Sequence, residues 1–197
     1  MLKYLPYIDN RRGRFIYKGW PAQQNHRIFD YFPSFFEEEK FDIVIEIGTS
    51  EGGLSLYIHE LSQNYNFDFW TYDTEMMLND LPPFDFRKKS AWDGEGYNEI
   101  ITALNESDKK ALLLVDGGNK ILEFNLYAPF LKKGDYIMTH DYAPDKNFHE
   151  KYMKYGIWEW CQITEKDLNL EVYGLSKNQH SDDFLNVAWG CFVKTEI

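Results

Sequence analysis

The chain has 197 residues, 32 acidic against 21 basic, and a net charge of −11 at pH 7. That imbalance argues against a nucleic-acid backbone or an anionic membrane surface as the main partner, and the basic runs Arg11 to Arg14 and Arg87 to Lys89 are too short to reverse it. The length suits one domain with a sizeable core, and no run approaches the ~20 apolar residues of a membrane span.

The first 14 residues hold no apolar stretch of signal-peptide length. Cys161 and Cys191 form no CxxC or disulfide framework, so a reduced, cytoplasmic setting is expected. Aromatic residues make up 18% of the chain, more than cores usually need, and a surplus can line a pocket for a flat or sugar-like ligand.

In chain order, Ile43 to Ile47 reads as a buried strand. A glycine turn follows, then a helix whose apolar positions Leu54, Tyr57, Ile58 and Leu61 recur at helical spacing. Phe67 to Asp73 is a second strand and Phe84 to Trp92 a weaker third. A helix around Tyr97 to Asn105 buries Ile100, Ile101 and Leu104. Ala111 to Asp116 is unbroken apolar up to its acid, as a central parallel strand requires. The helix near Lys120 to Leu131 turns Ile121, Phe124, Ala128 and Leu131 inward and stops at Gly134. Asp135 to Asp141 is a fifth strand, and a helix is expected near Tyr152 to Trp160. Leu168 to Leu175 and Leu185 to Lys194 are expected to close the sheet as an antiparallel pair.

Strands alternating with helices imply an α/β fold with a mostly parallel sheet covered on both faces. Ligands of such sheets bind beyond the carboxyl ends of the strands. Those ends are Glu46 to Gly48, Asp73, Ser90, Asp116 and His140-Asp141, and four of the five carry an acid.

The glycine turn Gly48-Thr49-Ser50-Glu51-Gly52-Gly53 is not a dinucleotide fingerprint, because Ser50 replaces the middle glycine. Glu51 stands at the mouth of the helix, where a carboxylate competes with a diphosphate. No GxxxxGK[ST] is present either. A nucleoside with a positive centre and one small anion suits acids plus a backbone cradle, and S-adenosylmethionine has that chemistry. Asp73, 25 positions after Gly48, stands where an acid accepts both ribose hydroxyls. Glu46 and Asp116 add negative potential for an ammonium and a sulfonium.

From Tyr17 to Asp145 the chain resembles the class I S-adenosylmethionine-dependent methyltransferases. Within them it is most like the branch labelled cephalosporin hydroxylase-like and rhamnosyl or macrocin O-methyltransferase-like. The likeness rests on Glu46 to Gly53 (EIGTSEGG), Val115 to Asn119 (VDGGN) and His140 to Tyr142 (HDY). It implies a Rossmann-like seven-stranded mixed sheet with an antiparallel last strand, and O-methylation of a small-molecule or glycan hydroxyl. By the likeness, Glu46, Gly48, Thr49 and Ser50 hold the methionine part, Asp73 the ribose, and Ser90 and Ala91 the adenine side, with Gly53, Asp116 and Gly117 also at the cofactor. Residues 1–40 would form a cap or lid, with Gln23 and Gln24 closing over the cofactor, and 41–197 the methyltransferase domain.

Relatives in this branch often bind a divalent ion at the ends of the fourth and fifth strands, which are Asp116 and Asp141 here. Adjacent strand ends lie about 5 Å apart, so both carboxylates can share Mg²⁺, with Asn119 as a further ligand. Such an ion lowers the pKa of an acceptor hydroxyl. The pattern departs at His140, where some relatives carry an acid, and at Asn119, where others carry a histidine. His140 is a general-base candidate, although strand alternation would turn it away from Asp141. The rival readings are a nucleotide-sugar or nicotinamide enzyme on a similar sheet, and a non-catalytic cofactor-binding module.

Overall fold

The computed structural model describes residues 7–9, 14–75, 77, 81–106 and 108–196. Arg11 to Gly13 of the first basic run lie outside the described residues. A small antiparallel sheet comes first: β1 (Tyr7–Asp9), β2 (Arg14–Tyr17) and β3 (Trp20–Ala22). Helix α1 (Ile28–Glu39) follows and ends at Lys40, which adopts φ +50°. Pro33 sits inside α1 and has no N–H for the carbonyl of Phe29. The Tyr57 hydroxyl donates to that carbonyl instead, at 3.0 Å, so the helix keeps its proline without an orphaned acceptor.

The main sheet is built from β4 (Ile43–Ile47), β5 (Asp68–Asp73), β6 (Asp85–Lys88), β7 (Ala111–Val115), β8 (Tyr136–Thr139), β11 (Leu175–Lys177) and β12 (Gly190–Lys194). Its order is β11-β12-β8-β7-β4-β5-β6. β4 pairs parallel with β5 and β7, β5 with β6, and β7 with β8. β12 runs antiparallel to both β8 and β11. This is the seven-stranded mixed sheet with an antiparallel last strand that the resemblance implies.

Helices α2 (Gly53–Tyr65), α3 (Gly94–Asn105), α4 (Lys120–Tyr127), α5 (Lys146–Phe148) and α6 (Ser181–Leu185) complete the fold, with a two-stranded pair of β9 (Tyr142–Ala143) and β10 (Ile163–Thr164). Side-chain alternation sorts the core into two clusters. Val44, Leu112 and Leu114 pack with the aromatic side chains of α1, α2 and α6, whereas Ile43, Ile45, Leu113 and Val115 pack with α3 and α4. The aromatic surplus goes mainly into the first cluster. Phe35 alone has ring centroids 5.0–5.9 Å from Phe36, Phe41, Tyr136 and Phe184.

Three expectations need correction. No helix runs from Tyr152 to Trp160: a π-helical turn covers His149–Met153, and the chain is irregular at Trp158 and Trp160. The penultimate strand begins only at Leu175, because residues 170–174 form turns that end at Gly174, φ +58°. Ile121 is 39% exposed rather than inward, since the buried face of α4 runs through Lys120, Glu123, Phe124 and Tyr127; the helix ends there and tightens into a 3₁₀ turn at Ala128–Phe130 around Pro129. Among the described residues no helix is long and apolar enough to cross a membrane.

Candidate functional site

The carboxyl ends of β4, β5, β7 and β8 converge beside the turn from β4 to α2. Gly48 begins that turn with φ +99°, and a Cβ there would lie 2.3 Å from the carbonyl oxygen of Asp116. Only glycine allows the β4 and β7 loops to approach so closely. At Gly53 a Cβ would meet the Pro21 carbonyl at 2.4 Å, so β3 rests directly on the first residue of α2. Ser50 takes φ +50°, and its N–H donates to Asp73 Oδ2 at 2.9 Å. The acid at the end of β5 therefore holds the glycine turn in shape. Asp73 Oδ1 accepts the N–H of Glu75 at 3.2 Å.

Glu46 is 1% exposed. Thr71 donates to its Oε2 at 2.6 Å, and the Ser55 hydroxyl donates to the same oxygen. Burial pushes the Glu46 carboxyl up to about 8, although the hydroxyls of Ser55 and Thr71 pull it down. The ordinary value is 4.5, so between these values the folded protein binds more protons than the unfolded chain. The stability contributed is complete below about pH 4.5 and is lost as pH rises through about 8. Glu46→Gln, which keeps a neutral acceptor, is expected to flatten that fall. Urea unfolding at several pH values across the interval measures it, and an unchanged slope would assign the pH dependence to another group.

A cavity of about 370 Å³ lies above the turn, lined by Gly48, Ser50, Asp73, Ser90, Ala91, Trp92, Asp116, Gly117 and Glu123 among others. A second, of about 230 Å³, is lined by Gln23, Ser50, Asp116, Lys120, His140, Asp141, Trp158, Trp160 and Gln162. Ser50 and Asp116 belong to both, so they form the wall between them. Beneath the turn, Glu46 and Thr49 line a small space together with Gln24 and Gly53. All the residues expected at the site thus border one or more of three adjoining cavities, Asn119 excepted. Asn119 caps α4, its Oδ1 accepting the Leu122 N–H at 3.1 Å.

His140 does not follow strand alternation. β8 ends at Thr139, and Asp141 adopts φ +56°, which brings both side chains to the same side. His140 Nδ1 lies 3.0 Å from Asp116 Oδ1 and 3.8 Å from Asp141 Oδ1. The imidazole stacks on Trp189, with ring centroids 5.0 Å apart, and meets Trp158 in a tilted contact at 4.9 Å. Among the described residues its Nε2 has no hydrogen-bond partner. Asp116, His140 and Asp141 each offer a ligand atom, all within 4.8 Å of one another.

Three contributors, Trp189, Glu123 and Lys120, escaped the sequence reading, and a fourth, Gln24, has more partners than it foresaw. Gln24, suggested only as a turn residue closing over a cofactor, donates from Nε2 to Asp116 Oδ2 at 2.6 Å and accepts from Trp189 Nε1 at 2.8 Å. Trp189 comes from the approach to β12, remote in sequence. Glu123 accepts the N–H groups of Gly117 and Asn119 and the indole N–H of Trp92, each at 3.1 Å. Lys120 extends its ammonium between Asp116 and Asp141. Its signal was available, since Asp116 and Lys120 stand at i and i+4 across a helix start.

No protein-family model matches the chain, and no curated protein does. Solved structures do. CmcI without ligand has a TM-score of 0.69 at 12% identity over 100% of this chain and 82% of its own. CmcI with Mg and SAM scores 0.66 at 12% identity over the same shares. MycE, a methyltransferase from the mycinamycin biosynthetic pathway, scores 0.51 in complex with Mg, SAH and mycinamycin VI, at 14% identity over 85% of this chain and 49% of its own. With the strand order above, the chain has the class I methyltransferase fold.

Proposed function

We propose that the chain is an S-adenosylmethionine-dependent methyltransferase acting on a hydroxyl of a small molecule or glycan. The observation that carries this is the pair of cavities sharing Ser50 and Asp116 as their common wall, because group transfer needs two ligands to meet at one point. The first cavity is the cofactor side. Glu46, Gly48, Thr49, Ser50 and Gly53 would hold the amino-acid end and Asp73 the ribose hydroxyls. Ser90, Ala91 and Gly117 would border the adenine. Residues 1–40 would act as the cap, through Gln23 and Gln24.

The cofactor supplies an electrophilic methyl group on a sulfonium, and much of the acceleration comes from alignment with the acceptor oxygen. Asp116 and Asp141 fit a divalent ion, since both carboxylates face one spot that already holds a cationic side chain, and CmcI and MycE have been solved with Mg. An ion there would lower the pKa of the acceptor hydroxyl. On the protein's side, His140, whose Nδ1 lies 3.0 Å from Asp116 Oδ1, would take the hydroxyl proton with Asp116 holding the ring in place, an arrangement of base and orienting acid. Trp158 and Trp160, with ring centroids 5.4 Å apart, wall the acceptor side and exclude water.

The test is thermal and chemical unfolding with S-adenosylmethionine or its demethylated product. At 100 times its dissociation constant, either should add about 2.7 kcal/mol. NAD and a nucleoside-diphosphate sugar serve as comparators. Stabilisation by one of these, with none by millimolar S-adenosylmethionine, would replace the proposal with the nucleotide-enzyme reading.

A further inference from the structure

The transfer scheme leaves Lys120 without a task. It is the first residue of α4 and is 6% exposed. Its Nζ lies 3.3 Å from Asp116 Oδ1, 3.2 Å from Asp141 Oδ2, 3.0 Å from the Gly117 carbonyl and 3.3 Å from Gln162 Oε1. An ammonium this deep survives only when its donors are satisfied, and here oxygens surround it.

The remaining carboxylate capacity is also committed. Asp116 receives Gln24 on Oδ2 and faces His140 on Oδ1, and Asp141 receives the Trp158 indole on Oδ1. The spot bridging the two carboxylates is therefore filled by a cation belonging to the chain itself. A divalent ion bridging the same oxygens would stand within a few ångströms of the ammonium, and like charges at that range in a buried site repel strongly.

We infer that Lys120 is the resident counter-cation of the Asp116–Asp141 site, and that a divalent ion binds there only by displacing it. The inference rests on the reading of these carboxylates as the acceptor-side site. It makes the acids self-supporting: their positions persist without metal, and metal affinity is held down by the ion pairs that each binding event must break.

Calorimetry of MgCl₂ and MnCl₂ into the cofactor-free wild type, Lys120→Met and Lys120→Arg tests this directly. The Met variant should bind either ion at least tenfold more tightly than wild type, and the Arg variant should behave like wild type. Equal affinities in wild type and Met variant overturn the inference, as does absence of binding in both. Should the Met variant lose its fold without metal, its melting is followed in MgCl₂. Recovery by the ion, with no matching gain in wild type, supports displacement; no recovery overturns it. Melting of wild type with S-adenosylhomocysteine runs alongside. Its failure would sink the methyltransferase reading while leaving the ion result to stand by itself.

Discussion

His140→Ala is expected to slow methyl transfer by about 10²- to 10⁴-fold, the usual worth of a positioned base, while cofactor-induced stabilisation persists. The readout is release of S-adenosylhomocysteine per folded molecule, using a hydroxyl acceptor found by screening. The imidazole is packed against Trp158 and Trp189, so alanine also leaves a cavity and lowers stability. His140→Gln separates the two effects, because it refills most of the space without restoring a base. If both variants are slow, the loss is chemical; if Gln alone recovers, His140 acts through packing. Transfer within a few-fold of wild type in both would move the activation of the acceptor to an ion held by Asp116 and Asp141.

Asp73→Ala is the second large effect, and the structure makes it more than the loss of a ribose contact. Hydrogen bonds to a charged acceptor contribute roughly 1.5–3 kcal/mol, enough to remove most of the stabilisation expected from the cofactor. Asp73 also receives the Ser50 N–H, and Ser50 sits at φ +50° in the turn, so the alanine variant frees the cradle as well. Asp73→Asn keeps a carbonyl acceptor for that N–H and loses the charge. It is expected to retain part of the thermal shift with S-adenosylhomocysteine where alanine retains almost none. A full shift in the alanine variant would place the ribose elsewhere.

The central elements were legible because their physics is local. β7 is an unbroken apolar run and β4 is apolar except for Glu46, both buried along their whole length, and the turn after β4 announces itself by its glycines. The acids at the strand ends followed from topology alone. Where reading failed, distant parts of the chain decide the outcome. Alternation placed His140 away from Asp141, yet the strand stops at Thr139 and Asp141 reverses the backbone. Trp158 and Trp160 carried aromatic content without periodic meaning, because Trp158 is positioned by its bond to Asp141 and by its carbonyl facing the His149 ring at 3.0 Å. Gln24 gains its role only once Asp116 and Trp189 have been brought to it from positions 92 and 165 residues away. No window of sequence contains that relation.

The placement of β12 between β8 and β11 bears on how the molecule is assembled in time. Until β12 arrives, β8 is an open edge and β11 has no neighbour in the sheet. Pairings between remote segments form slowly, because the intervening chain must be closed before they are rewarded. An uncovered strand edge meanwhile offers its free N–H and C=O groups to any passing chain. Substitutions in Gly190–Lys194 should therefore register first in the yield of soluble protein, ahead of any change in chemistry. The Trp189–Gln24 bond joins the two ends of this process: it can close only when the late strand is seated, so completion of the site reports completion of the sheet.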